Sequence, residues 1–285
     1  MKIVLSQTMG YCKGVSRALG MAENAISQAA LKGKPVYSMG KLIHNRQVCA
    51  CFAQQGMEEI EGPEGHAQGV VVLRAHGIPD ATRTAFLESG FEIVDATCPV
   101  VKRNLHLIAE YSKTHRIVIV GHAHHPETAA MQGVMVAGQP IFSKLITDIE
   151  HIGVAQQDGR YAVFVQTTFD QQQWIEIKQA LTHWCTRGCE LVFVNEICPS
   201  SINRREAVLS LARACDGVVV IGGKESANTN ALYELVVQQG KKAWHIEDET
   251  QITEDMYACA ILGITAGAST PPSLIQRIVE KLEEE

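Results

Sequence analysis

No stretch of the 285-residue sequence approaches the roughly 20 apolar residues of a membrane-spanning helix. No basic segment followed by a long apolar run and a small-residue cleavage site opens it either, which argues against a secretory signal. A cytoplasmic protein without a membrane partner is therefore expected. A basic excess is also missing. Lys and Arg number 25 against 31 Asp and Glu, giving a net charge of −6, whereas a nucleic-acid binder usually presents a basic face. There is no Walker-type Gly-Lys-Ser/Thr element, no flavin or nicotinamide fingerprint, and no low-complexity linker. What remains is ordinary for a globular protein: 46% hydrophobic and 20% charged residues. A chain this long can bury about three quarters of its unfolded surface.

Short apolar runs alternate with amphipathic stretches throughout. Strands are expected at residues 2–7, 36–38, 69–73, 91–94, 116–120, 162–165, 191–194, 217–221 and 258–264. Helical patterns lie between them, which indicates an α/β fold with mainly parallel sheets. Three strand ends share one design. Residues 2–7 lead to Cys12, 91–94 to Cys98 and 191–194 to Cys198, and a helical pattern follows each time. This near-even spacing divides the chain into three expected lobes, 13–97, 98–196, and 1–12 with 197–285.

Nine cysteines in a reducing compartment point to thiols and a metal site rather than a disulfide scaffold. A cysteine between a strand end and a helix start lies near backbone N–H groups and the positive end of the helix dipole, both of which favour thiolate. Pro99 and Pro199 suit the first helical turn. The dispersed Cys12, Cys98 and Cys198 do not match the paired ligands of structural zinc or the compact run of a ferredoxin. Three thiolates holding a [4Fe–4S] cluster is one reading, and ordinary core thiols is the other. Cys215 and Cys259 read as core, and Cys185 with Cys189 as a weak metal pair. In open α/β sheets ligands bind beyond the carboxyl ends of strands. There the sequence places His44, His76, His125-Pro126-Glu127, Thr167, Ser226, Asn228 and Ser269. His125 and Glu127 can form a proton relay or simply start a capped helix. Hydroxyls, amides and imidazoles at helix starts suit a small diphosphate, although each residue singly reads as a cap or a structural histidine.

Taken together, Gly10-Tyr11-Cys12, Ile43-His44-Asn45, Ala75-His76-Gly77, Asp95-Ala96-Thr97-Cys98-Pro99, His125-Pro126-Glu127, Gln166-Thr167-Thr168, Ser226-x-Asn228-x-Asn230 and Thr265-Ala266-Gly267-Ala268-Ser269 resemble, in this order, the 4-hydroxy-3-methylbut-2-enyl diphosphate reductase family (IspH/LytB). The resemblance implies a trefoil of three α/β lobes around a [4Fe–4S] cluster with one iron not ligated by protein. It implies reductive dehydroxylation of an allylic diphosphate substrate to isopentenyl and dimethylallyl diphosphate, the last step of the non-mevalonate isoprenoid pathway. It assigns Cys12, Cys98 and Cys198 as metal ligands. His44, His76, His125, Ser226, Asn228 and Ser269 become diphosphate ligands, and Glu127, Thr167 and His125 the catalytic set. An external one-electron donor of ferredoxin or flavodoxin type is implied as partner. The sequence departs from the family pattern at Pro199-Ser200-Ser201, at Ala227, where many members carry serine, and at Ala231, where arginine is common. These departures keep open a paralogue using the same chemistry on another substrate; a second alternative, a non-enzymatic iron–sulfur sensor, would need neither Glu127 nor Thr167.

Overall fold

The computed structural model describes residues 1–153, 158–186 and 188–284. In chain order it runs β1 (Lys2–Leu5), α1 (Lys13–Leu31), β2 (Val36–Met39), α2 (Arg46–Gln54), β3 (Met57–Ile60), β4 (Val70–Leu73), α3 (Asp80–Glu88), β5 (Glu92–Asp95) and α4 (Pro99–Tyr111). Next come β6 (Arg116–Val120), α5 (Pro126–Gln132), β7 (Met135–Val136), β8 (Gln139–Pro140), β9 (Ser143–Ile146), β10 (Gly159–Val165), α6 (Gln171–Trp184) and β11 (Cys189–Phe193). The chain ends with α7 (Pro199–Ala214), β12 (Gly217–Ile221), α8 (Ala227–Gln238), β13 (Lys242–Ile246), α9 (Glu254–Tyr257), β14 (Ile261–Ala266) and α10 (Pro272–Glu283). Among the described residues no helix is long and apolar enough to cross a membrane.

The α/β expectation is borne out as three four-stranded, all-parallel sheets of one design. Their orders are β5-β4-β2-β3, β11-β10-β6-β9 and β1-β14-β12-β13. In the third sheet the N-terminal β1 fills the place that β5 and β11 fill in the others. The central strands are runs such as Val70-Val-Val-Leu73 and Gly217-Val-Val-Val-Ile221, buried throughout. Their β-branched residues pack on both faces of the sheet, as parallel sheets require. Val219 and Ile221 join Leu274 and Ile278 of α10 on one side. Val218 and Val220 join Leu211 of α7 and Leu232 and Leu235 of α8 on the other.

The expected strand at 258–264 starts only at Ile261, because α9 runs to Tyr257. Strands β3, β9 and β13 were not legible as apolar runs. All three are sheet edges, and exposed residues such as Glu58, Glu59 and Lys242 interrupt them. Edge strands face solvent on one side and carry charge. The chain divides into two compact units: one of Met1–Ser16, Ile43–Phe52 and Pro199–Glu285, the other of Arg17–Leu42 and Ala53–Cys198. Glu285, the last residue of the third expected lobe, lies outside the described residues.

Candidate active site

The same main-chain bonds recur at the carboxyl end of each sheet. Every cysteine loop leaves an edge strand: β1 before Cys12, β5 before Cys98 and β11 before Cys198. Each cysteine N–H then donates to the carbonyl two residues beyond the neighbouring strand. Cys12 N bonds Ala268 O at 3.2 Å, Cys98 N bonds Ala75 O at 2.9 Å and Cys198 N bonds Thr167 O at 3.0 Å. The third strand of each sheet ends in a glycine, Gly40, Gly121 or Gly222. Its N–H donates to the last isoleucine of the far edge strand: Ile60 at 2.8 Å, Ile146 at 3.1 Å and Ile246 at 2.9 Å. Four residues after each glycine stands His44, His125 or Ser226. This repeated spacing from glycine to a His or Ser is a signal that the separate motifs concealed.

In the unit of residues 17–42 and 53–198, α5 begins with His125 as its cap. His125 Nδ1 accepts from the Glu127 N–H at 3.1 Å, and Pro126 occupies the first turn. With Nδ1 accepting, the neutral ring carries its proton on Nε2. The contact described between His125 and Glu127 is thus a helix cap, and the Glu127 carboxylate faces Thr167. Oε1 accepts the Thr167 N–H at 2.8 Å, and Oε2 accepts the Thr167 hydroxyl at 2.7 Å. Glu127 is 1% exposed. Burial pushes its carboxyl up to about 7, against the pull of the two Thr167 bonds. The His76 ring meets that of His125 edge-on, with centroids 5.4 Å apart. Behind Thr167 lies Gln166, fully buried. Its Oε1 accepts the His122 N–H at 3.0 Å and the Thr128 hydroxyl at 3.2 Å, while its Nε2 donates to Thr168 Oγ1 at 2.8 Å. Gln166 therefore fixes the Glu127 loop against the Thr167 loop, a role its position at a strand end did not reveal.

In the unit that holds Cys12, Ser226 caps α8 by accepting from Thr229 N at 3.3 Å. Ser269 Oγ donates to His44 O at 3.1 Å. Asn45 caps α2 through Val48 N at 3.0 Å. Asn228 is buried, and its Nδ2 has no hydrogen-bond acceptor among the described residues. A buried donor left unmatched is costly, so this amide is ready for a ligand oxygen. The site is built on close backbone approach. A Cβ at Gly267 would stand 2.0 Å from Thr229 Oγ1. Gly267→Ala is therefore expected to lower stability by about 1–3 kcal/mol or more through overpacking. Adding Thr229→Ala, which removes the clashing atom, should restore most of it. Thermal melting of the single and double variants checks this, and an unaltered single variant refutes it.

Cys12, Cys98 and Cys198 are half-buried thiols standing directly before the first turns of α1, α4 and α7. Cys12 Sγ also accepts the Val15 N–H at 3.4 Å. Three soft sulfur donors at helix starts fit an iron–sulfur group by their chemistry. Cys215 and Cys259 are core residues, as expected, and burial pushes both thiols up. Cys185 and Cys189 correct the weak-metal-pair reading, because they form a disulfide. With Cα atoms 5.4 Å apart at the start of an edge strand they meet the bridge's geometric requirement.

The parallel α/β sheets thus carry thiols, imidazoles and a buried carboxylic acid at their strand ends. Residues 3–283 match the family described as LytB protein, and the chain belongs to that family. The 4-hydroxy-3-methylbut-2-enyl diphosphate reductase of Solidesulfovibrio magneticus is 35% identical over 288 residues, covering 99% of each chain. That of Thermotoga maritima is 32% identical, covering 100% of this chain and 97% of the relative. A solved structure of (E)-4-hydroxy-3-methyl-but-2-enyl diphosphate reductase, the terminal enzyme of the non-mevalonate pathway, has a TM-score of 0.72 at 29% identity, over 100% of this chain and 99% of that one. The E-1-hydroxy-2-methyl-but-2-enyl-4-diphosphate reductase of Plasmodium falciparum shares the fold, with a TM-score of 0.86 at 23% identity over 98% of this chain and 87% of that one. The family resemblance read from the motifs is borne out.

Proposed function

We propose that the chain reductively removes the allylic hydroxyl of 4-hydroxy-3-methylbut-2-enyl diphosphate, giving isopentenyl and dimethylallyl diphosphate. The observation that carries this reading is the buried Glu127–Thr167 pair, with a carboxyl poised near 7, in a chain of the LytB family. Cys12, Cys98 and Cys198 would hold a [4Fe–4S] cluster. When bound, such a cluster would supply electrons one at a time and Lewis acidity toward a substrate hydroxyl. An external one-electron donor of ferredoxin or flavodoxin type would supply the electrons.

Glu127 does the proton work. A departing hydroxyl leaves as water only if a proton reaches it, and an acid with a pKa near the working pH is best placed to give one. Thr167 orients that acid through both of its oxygens. On the diphosphate side, Asn228 offers its unmatched amide, while Ser226, Ser269 and the imidazoles of His44, His76 and His125 offer further donors. Holding the allylic end by its distant diphosphate converts binding energy into orientation. A non-enzymatic sensor would have no use for a buried, neutralised acid tied to a threonine. We also assign the lobes as 13–97, 98–196, and 1–12 with 197–285, one to each sheet.

The test is anaerobic purification with iron and sulfide analysis, followed by turnover of the diphosphate with a reduced one-electron donor. Intact cluster without turnover would overturn the substrate assignment. Because the Thr167 bonds hold the Glu127 carboxyl down, Thr167→Val should raise its pKa. The alkaline limb of the rate profile, where Glu127 loses its proton, should then move to higher pH, together with a lower maximum. A limb that stays in place counts against Glu127 as the titrating acid.

A further inference from the structure

We infer that Arg204 is the positioning residue for the loop that carries Cys12; this rests on the reading of Cys12 as a cluster ligand. Arg204 lies on α7, six residues beyond Cys198, and is 3% exposed. Its Nη1 donates to Ser200 O at 3.0 Å and to the Ser200 hydroxyl. Its Nη2 donates to Gly10 O at 2.5 Å. One planar group thus joins the first turn of α7 to the peptide two residues before Cys12. A guanidinium keeps its charge and its fixed fork of donors, and the interior accepts a buried cation only where acceptors replace its water.

Gly10 stands at φ +73, with Ile275 Cδ1 at 3.2 Å and Thr270 O at 3.4 Å from where a Cβ would sit. Its path is therefore one that only glycine follows without strain. Beyond Gly10 the loop's ties include the Cys12 N–H to Ala268 O at 3.2 Å, Val15 N to Cys12 Sγ at 3.4 Å and Ser16 N to Cys12 O at 2.9 Å. Cys98 is different. Its N–H bond to Ala75 O is 2.9 Å, Asp95 Oδ1 accepts Thr97 N at 3.1 Å, and the arginine that reaches Thr97 O, Arg17, is solvent-exposed. Arg204 is thus a buried strut where Arg17 is a surface tie.

Arg204→Lys tests this, because it keeps the charge and loses the fork. The measurement is the iodoacetamide alkylation rate at each cysteine of the reduced, metal-free protein, followed by peptide mass spectrometry. The rate at Cys12 relative to Cys98 is expected to rise about tenfold, the factor that 1.4 kcal/mol of easier loop opening would give. An unchanged ratio overturns the assignment. So does an equal rise at Cys12, Cys98 and Cys198, which would make Arg204 a support of the whole fold. Neither readout depends on turnover, so failure here is distinct from failure of the proposed reaction.

Discussion

Glu127→Gln is expected to lower turnover of the allylic diphosphate by on the order of 10²–10⁴-fold, the usual contribution of a positioned general acid, with iron and sulfide content unchanged. Glutamine has the shape of the protonated acid. It still accepts the Thr167 N–H and can donate its own N–H to the Thr167 hydroxyl, so the loop geometry survives while the transferable proton is lost. The same variant has a signature in stability. The Glu127 carboxyl is raised from an ordinary 4.5 to about 7 in the folded protein. Between those values the native state binds more protons than the unfolded one. Stability therefore falls as pH rises from 4.5 through about 7, and the loss stays constant above that. Glutamine does not titrate, so the melting temperature of the variant relative to the parent should climb from pH 5 to pH 8. Full turnover in Glu127→Gln with an intact cluster would remove Glu127 from the reaction.

The residues that met in the structure were legible in the sequence because strand ends are fixed by composition. An apolar run stops where Cys, His, Ser or Thr begins, and parallel topology sends every such end to one side of its sheet. That is why Thr167 and Glu127, forty residues apart, are hydrogen-bonded, and why Ser269 reaches the carbonyl of His44. What stayed hidden depends on partners that no local pattern announces. Gln166 is an ordinary strand-end amide until Thr128, Thr168 and the His122 N–H surround it. Arg204 reads as one more helical cation, although its partner is 194 positions away. The edge strands β3, β9 and β13 are broken by polar or charged residues, Glu58 and Glu59, Ser143 and Lys144, and Lys242 and His245, which reading by apolar run discards. The Cys185–Cys189 bridge was missed because four-residue spacing fits a turn and a metal pair equally well.

Cys98→Ser is expected to be the most damaging single change at the proposed cluster site. Serine is close in size, and the Cys98 N–H bond to Ala75 O and the Pro99 helix start do not use the sulfur, so the apoprotein should fold and melt much like the parent. What changes is the donor. A thiolate is soft and is held near the positive end of α4, whereas a serine hydroxyl stays protonated at neutral pH and is a poor partner for iron. Loss of an outer-shell partner alone costs about 10–100-fold in metal affinity or activity, and loss of a direct ligand should exceed that. Anaerobically purified Cys98→Ser should therefore show a large fall in iron and sulfide per chain, and a loss of turnover greater than about a hundredfold. The comparison that separates ligation from folding is Cys215→Ser. Cys215 is buried beside Leu211 and Val218, where apolar side chains make a hydroxyl costly to bury. That change should lower the melting temperature and leave the iron content per folded chain as it was. Equal iron content in Cys98→Ser and the parent would show that Cys98 is not a ligand.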